Sequence, residues 1–209
     1  FFVSYFASSH LAAMSEGKAE PESHKLAYPY SMWYLNKKSS GKPTSYIPKK
    51  LATFDTVEGF WEYYSHMVRP NELPPSVDYH CFKDGIVPLW EDEANIDGGK
   101  WVVRLKKGMA SRCWENALLG MIGDHFELRD ELCGIVMSTK FAEDILCFWN
   151  KTANDRSVTL KLRDAIKKIL DIPTNSALEY KAHNTSIKHT IAHEDRQSRA
   201  SLSLRTDDP

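Results

Sequence analysis

The sequence lacks several features that would assign it to a specialised class. It contains no run of about 18 apolar residues, so we expect no transmembrane helix. Its net charge is only −1, so no overall positive field is available to hold a long nucleic acid. We find no internal repeat, and no nucleophile with an adjacent base that would indicate covalent catalysis. These absences leave open three kinds of ligand: a small molecule, a protein, or a nucleic acid bound at one local site.

Cysteine is scarce and is not arranged for metal binding. The four cysteines are Cys81, Cys113, Cys133 and Cys147. None belongs to a C-x-x-C pair, and no histidine cluster lies near them at the spacing of a zinc site. We therefore expect buried, reduced thiols in an intracellular protein, with no metal and no cofactor.

The two ends differ in composition from the middle of the chain. The first 13 residues, FFVSYFASSHLAA, are apolar without a basic lead. A weak signal peptide is one interpretation. We favour the other, in which the coding frame starts at Met14 and opens a polar, acidic segment. We expect disorder over residues 1–23 and 188–209, with one cytoplasmic domain over 24–187.

Hydrophobic periodicity predicts strands alternating with amphipathic helices. Strands are predicted at residues 28–35, 79–82, 101–106, 133–139 and 144–149. A first helix follows an N-cap at Asp55 and includes Val57, Phe60, Trp61, Tyr64 and Met67 at helical spacing. Further helices are predicted at 110–123 and 155–170. Strands separated by a few helices indicate the α+β class, a single domain with a mostly antiparallel sheet.

One loop sequence points to a ligand. In VPLWEDEANIDGGKW (87–101), Trp90 directly precedes the acids Glu91, Asp92 and Glu93. A flat, positively charged ligand with donors on one edge would use an aromatic face and a carboxylate together. The alternatives are a core tryptophan followed by a solvated acidic turn. For Asp92 and Glu93 we expect the solvated turn.

Longer motifs resemble a known family, the translation initiation factor 4E proteins that bind the mRNA cap. The resemblance extends from His24 to about Ser186. Its motifs are FDTVEGFW (54–61), DYHCFKDGIVPLWEDEAN (78–95), GGKWVVRL (98–105) and CGIVMS (133–138), together with all six tryptophans. YSHMVRP (64–70), KGMASRCWEN (107–116) and WNKTA (149–153) are similar to the class-two branch, the 4E-homologous proteins.

The resemblance implies a fold and a cap site. The family fold is a curved antiparallel sheet backed by three long α-helices. The family ligand is 7-methylguanosine joined through a triphosphate to RNA. The implied cap contacts are Tyr46 and Trp90 on the two faces of the base, Glu91 on its edge, Trp149 at the N7 methyl group, and Lys100 and Lys140 at the phosphates. A lysine of the main factor is replaced by Ile145. Arg104, Lys106 and Arg112 are the candidates to compensate, and a solvated surface position is the more common alternative for each.

A second, dorsal surface is implied for protein partners. In the family it takes a helix with the pattern Tyr-x-x-x-x-Leu-hydrophobic, from 4E-binding proteins or the initiation scaffold. The implied residues are His24, Val57, Trp61, Leu119 and Gly123. For Val57 and Leu119 a core position is an equal alternative.

Three function classes follow, of which we favour the first. It is a non-enzymatic, cytoplasmic cap-binding factor, acting either in initiation or as a repressor that holds the cap without recruiting the scaffold. The second is a hydrolase that uses the acids of residues 91–97 with a metal. The third is a partner-binding module with weak cap affinity.

Overall fold

The computed structural model describes residues 23–37, 47–128, 130–173 and 176–184, and within them one sheet organises the chain. The strands are β1 (Lys25–Asn36), β2 (Lys49–Thr56), β3 (Val77–Lys83), β4 (Gly99–Leu105), β5 (Leu132–Thr139), β6 (Asp144–Asn150) and β7 (Glu179–Ala182). They form a seven-stranded sheet in the order β2-β1-β3-β5-β6-β4-β7, and every neighbouring pair is antiparallel. The predicted α+β class with an antiparallel sheet is confirmed.

Three helices accompany the sheet: α1 (Val57–Tyr64), α2 (Ala110–Ile122) and α3 (Arg156–Ile169). A 3-10 turn lies at Pro70–Glu72. Thr56 caps α1 by accepting from the Gly59 amide, and Asp155 caps α3 by accepting from the Ser157 and Val158 amides. None of these helices is long and apolar enough to cross a membrane.

The helices cover one face of the sheet, which we call the helix face. Strand side chains such as Tyr30, Met32, Ile135 and Phe148 form one buried cluster there with α2. Helix α1 contributes Phe60 and Tyr64 to this cluster, and α3 contributes Leu162 and Ile166. The Trp101 indole donates to the Thr159 carbonyl at 2.9 Å, which ties β4 to α3 inside the core. This packing leaves the other face of the sheet free of helices from this core.

A second, smaller cluster lies on that opposite face, which we call the cavity face. Side chains alternate along a strand, so the neighbours of the helix-face residues point here. The cluster contains Phe82, Val102, Cys133, Val136, Cys147 and Trp149, with Ile86, Trp90 and Ile145 packed against it. The cavity face therefore brings together two of the tryptophans of the predicted site.

Several element predictions need correction. Helix α1 ends at Tyr64, where Ser65 donates back to the Trp61 carbonyl, so Met67 lies beyond it. The cap of α1 is Thr56 and not Asp55, because the Thr56 hydroxyl accepts from the Gly59 amide, whereas the Asp55 carboxylate pairs with Lys25. Strands β2 and β7 were not predicted, since KKLATFDT and EYKA are polar and gain their order from pairing with β1 and β4.

Candidate functional site

A cavity of about 360 Å³ opens on the cavity face. Its lining is rich in cations and includes one indole. The lining residues are Lys37, Asp78, His80, Lys100, Val102, Arg104, Val136, Ser138, Lys140, Ile145, Cys147, Trp149 and Lys181. Three residues predicted from the sequence, Lys100, Lys140 and Trp149, are thus brought to one site. An anionic, partly aromatic ligand matches this lining.

Strand register places the aromatic end of the cavity. Trp149 on β6 lies between Lys100 on β4 and Gly134 on β5, and Gly134 in turn pairs with Phe82 on β3. Because Gly134 has no side chain, Phe82 reaches across it and packs edge-on against Trp149, with ring centroids 5.5 Å apart. A Cβ at Gly134 would lie 2.3 Å from the Phe82 ring. Lys100 Nζ lies 5.4 Å from the Trp149 ring centroid.

Ion pairing separates the five cations of the cavity into two groups. Lys37 pairs with Asp78 at 2.6 Å and Lys181 with Glu179 at 3.0 Å, while Arg104 contacts both Glu143 and Glu179. Among the described residues, no carboxylate lies within ion-pair distance of Lys100 or Lys140. Their charge is therefore the part of this lining left for an anionic ligand.

Ile145 replaces a lysine of the main factor, and the three cations suggested to compensate for it do not all line this cavity. Arg104 lines the cavity but its guanidinium is engaged by two acids. Arg112 lies on α2, which packs on the helix face, and Lys106 follows the end of β4 outside the lining. Ile145 lines the cavity where the resemblance implies a cation in the main factor. Lys37 and Lys181, which sequence reasoning missed, also line the cavity, but each is paired with an acid.

The loop between β3 and β4 presents Trp90 and Glu91. Asn95 is fully buried and donates to the Val87 and Leu89 carbonyls at 3.0 and 2.7 Å. Asp92 accepts from the Val87 and Ala94 amides, at 2.9 Å each. The expectation of a solvated Asp92 is therefore wrong: its carboxylate holds the loop together. Glu91 and Glu93 are exposed, and Trp90 packs against the cluster that contains Trp149.

The buried imidazoles and the buried thiol near this site are neutral near pH 7. Burial lowers the pKa of His80 and of His183 to about 4, and raises the pKa of the Cys147 thiol to about 11. The His183 ring packs on Trp149 with centroids 4.3 Å apart. All four cysteines are buried and free, as expected for thiols. Within the described residues, no group of three or more His, Cys, Asp or Glu side chains is placed to hold a metal ion.

One predicted site residue lies outside the described residues. This is Tyr46, in the stretch 38–46 between β1 and β2. The predicted terminal segments, except Ser23, also lie outside them.

Comparison with known proteins identifies the family. The family model for eukaryotic initiation factor 4E matches residues 25–198. The chain belongs to the eukaryotic initiation factor 4E family.

Curated 4E relatives match most of the chain. Initiation factor NCBP of Arabidopsis thaliana is 44% identical over 167 residues, covering 79% of this chain and 76% of the relative. Initiation factor 4E-4 of Caenorhabditis elegans is 40% identical, covering 84% of each. Initiation factor 4E-1 of Prunus domestica is 33% identical, covering 81% and 74%. Identity is thus higher to NCBP than to this 4E-1.

Solved 4E structures share the fold. The C. elegans eIF4E-3 complex with the 4E-binding protein Mextli and a cap analog matches with a TM-score of 0.76 and 32% identity, over 80% of this chain and 96% of that one. Ascaris suum eIF4E-3 with the m2,2,7G cap matches with a TM-score of 0.73 and 32% identity, over 78% and 92%.

The predicted dorsal residues of this 4E chain lie on and beside the helices. Trp61 on α1 is 41% exposed and packs edge-on against Phe60. The His24 carbonyl accepts from the Val57 amide at 2.9 Å, and its imidazole bonds Glu58 at 2.7 Å, so the chain entering β1 is fixed to α1.

The two α2 residues of the dorsal set differ in exposure. Leu119 is partly buried against the core, and Gly123 is exposed at the C-cap.

Proposed function

We propose that this protein binds the 7-methylguanosine cap of mRNA and acts as a translation factor of the 4E type. The observation behind the proposal is the pair Lys100 and Lys140, which line one cavity with Trp149 and lack a carboxylate partner among the described residues. A cap matches this lining, because it joins a flat base, which can stack on an indole, to a triphosphate, which can bind the lysines. Support also comes from eIF4E-3 structures of two nematodes, whose ligands are caps or cap analogs.

The base would bind beside the loop that carries Trp90 and Glu91. Methylation at N7 makes guanine cationic, so stacking on an indole gains a cation–π contribution of about 1–2 kcal/mol. The exposed Glu91 carboxylate accepts two hydrogen bonds at once, from the N1–H and the 2-amino group of the base. The Asp92 and Asn95 bonds fix the loop before the ligand arrives, which lowers the cost of ordering it. Tyr46 would cover the second face of the base.

The phosphates would extend from Trp149 over Lys100 and Lys140. Both residues are lysines, which act as point charges without the planar fork of arginine. Ile145 adds an apolar wall at this position. We therefore expect the phosphate contribution to be screened strongly by salt.

Tryptophan fluorescence tests the base site. The wild-type protein is titrated with 7-methyl-GTP and with GTP, and saturable quenching is expected with the methylated nucleotide alone. Glu91→Gln should weaken binding by about ten- to a hundredfold, because one or two charge-assisted hydrogen bonds lose strength. Glu93→Gln is the matched control, an exposed acid two residues away, and should bind as wild type. Equal responses to GTP and 7-methyl-GTP would refute the proposal.

The phosphate site has its own controls. Lys100→Ala and Lys140→Ala should each weaken 7-methyl-GTP binding and flatten its salt dependence. Arg112→Ala removes an exposed cation from α2, on the helix face, and should change neither quantity. A loss of affinity in Arg112→Ala as large as in the lysine variants would mean that overall charge, and not this cavity, holds the nucleotide.

The dorsal surface would bind a partner helix. Trp61 offers an exposed aromatic anchor on α1, and such anchors contribute most of the energy in helix-in-groove interfaces. His24, Val57, Leu119 and Gly123 would line the same surface. Trp61→Ala should lose binding to a peptide with the pattern Tyr-x-x-x-x-Leu-hydrophobic while keeping 7-methyl-GTP binding. Met109→Ala, a 44% exposed side chain before α2, is the control.

The partner would decide the role of the protein in translation. C. elegans eIF4E-3 is seen with a 4E-binding protein, which supports partners of that kind here. In this proposal the protein acts in the cytoplasm without catalysing a reaction. Recovery of the initiation scaffold in a pull-down, lost in Trp61→Ala, would indicate an activator. Recovery of 4E-binding proteins alone would indicate a repressor.

A further inference from the structure

The connection between β5 and β6 carries an aromatic side chain that the proposed cap site does not use. Phe141 is 90% exposed, whereas the next most exposed large hydrophobic among the described residues, Ile47, is 67% exposed. Single apolar side chains at a protein surface are ordinary. Phe141, however, directly follows Lys140, one of the two cavity lysines without a carboxylate partner in the described chain.

The backbone around Phe141 is held in place by a buried carboxylate. Asp144 is 1% exposed, and its Oδ1 accepts from the Lys140 amide at 3.2 Å and from Lys107 Nζ at 2.7 Å. Lys107 Nζ also donates to the Lys140 carbonyl at 3.0 Å. These bonds fix the Lys140 backbone, directly before Phe141, and tie it to Asp144, where β6 begins. The entropic cost of ordering the turn when a ligand stacks on the ring would therefore be small.

Strand β6 leads from the aromatic end of the cavity to this turn. Trp149 and Ile145 both line the cavity and lie four residue steps apart along β6, about 13 Å. The turn that contains Lys140 and Phe141 precedes β6 in the chain and lies at the Ile145 end of that strand. A ligand that starts at Trp149 and follows the cavity passes its cations and reaches Lys140, the residue before Phe141.

We propose that Phe141 is a stacking platform for the base of the first nucleotide after the cap triphosphate. The proposal rests on the proposed cap-binding function. Proteins that hold single-stranded nucleic acid combine cations along the backbone with exposed aromatic rings for the bases. Lys140, the residue before Phe141, supplies the cation, whereas Lys107 is paired with Asp144. Every base has a π face, so the subsite takes any of the four bases.

The experiment compares a ligand without the second base to one that has it. Wild type and Phe141→Ala are titrated with 7-methyl-GTP and with the dinucleotide 7-methylguanosine-triphosphate-adenosine. Phe141→Ala should keep the Kd for 7-methyl-GTP within about twofold. Its Kd for the dinucleotide should rise about five- to tenfold, the low end of the range for base–aromatic stacking, because the ring is so exposed.

Two more variants separate stacking from apolar contact. Phe141→Leu keeps apolar bulk but has no π face, so it should resemble Phe141→Ala. Phe141→Trp should bind the dinucleotide at least as well as wild type, and its added indole should be quenched by the dinucleotide more than by 7-methyl-GTP. Val68→Ala, a 51% exposed side chain just beyond α1, is the control and should bind both ligands as wild type.

Each outcome decides a different claim. If the wild type binds both ligands and Phe141→Ala changes neither, the platform is overturned and the cap site stands. Equal weakening of both ligands in Phe141→Ala would also overturn it, since the ring would then act on the cap site itself. If the wild type does not bind 7-methyl-GTP, the cap proposal fails and this inference fails with it.

Discussion

Replacing Gly134 by alanine should damage both the stability and the ligand site of this protein. The added Cβ would lie 2.3 and 2.5 Å from two atoms of the Phe82 ring and 2.6 Å from the Cys81 carbonyl oxygen. The carbonyl belongs to the backbone of β3, which is paired on both sides, so it cannot move alone. Phe82 is fully buried, so its ring has no solvent to move into. Relief must come from a shift of β5 against β3.

The expected cost is that of overpacking a close-packed core, about 1–3 kcal/mol. For a domain of this size each kcal/mol lowers the midpoint of thermal unfolding by about 2–4 °C, so we expect a drop of roughly 2–12 °C. Because Phe82 packs edge-on against Trp149, the shift should also move a ring of the cavity. Affinity for 7-methyl-GTP should then fall even well below the unfolding temperature.

Thermal unfolding followed by circular dichroism measures the first effect, and fluorescence titration the second. Gly59→Ala is the comparison, since its Cβ meets only the Thr56 hydroxyl at 3.0 Å and the Phe54 Cβ at 3.4 Å. It should change the free energy of unfolding by less than about 1 kcal/mol. A Gly134→Ala protein that unfolds at the wild-type temperature would refute the argument from close approach.

Three further predictions concern stability. Trp101→Phe removes the indole N–H that donates to the Thr159 carbonyl and leaves a smaller side chain in the core, so it should lower the free energy of unfolding by about 1–3 kcal/mol in urea titration, whereas an unchanged midpoint would contradict this. The hydrogen bond with His24 holds the pKa of Glu58 at about 2, below its ordinary 4.5, so its stabilisation is present above pH 4.5 and lost as the pH falls to 2. Glu58→Gln should reduce the loss of stability in that window, and an identical pH profile would count against the pair. Burial lowers the pKa of His183 from 6.5 to about 4, so folding disfavours its protonation and stability should fall as the pH drops from 6.5 to 4. His183→Gln should lessen that fall in acid titrations followed by circular dichroism, and a curve as steep as wild type would argue against it.

Helices were predicted well where one stripe of apolar residues could face only one core. Helical spacing predicts one apolar stripe on α2, and all six of its residues are buried: Cys113, Trp114, Ala117, Leu118, Met121 and Ile122. The helix also begins at the predicted Ala110. The spacing of Val158, Leu162, Ile166 and Ile169 predicts the inward stripe of the third helix; Leu162 and Ile166 are buried, whereas Val158 and Ile169 are only partly buried. The first helix was predicted too long, because Met67 keeps the spacing and packs against the core from a turn after the helix has ended. Periodicity alone does not distinguish a residue inside a helix from one in the turn that follows the helix.

The sequence by itself determined that Trp90 and Glu91 are neighbours on a loop and that the chain belongs to the 4E family, because adjacency and long motifs do not depend on the fold. Tertiary structure decided which charges remain for a ligand. Arg104 is engaged by Glu143 and Glu179, far from it in the chain, whereas Lys100 and Lys140 meet no such acid among the described residues. The run of acids predicts a solvated Asp92, yet its carboxylate accepts two backbone hydrogen bonds within its own loop. The physical reason is that the net charge of a site depends on which partners strand register and loop packing bring within hydrogen-bonding distance, and residue type alone does not specify those partners.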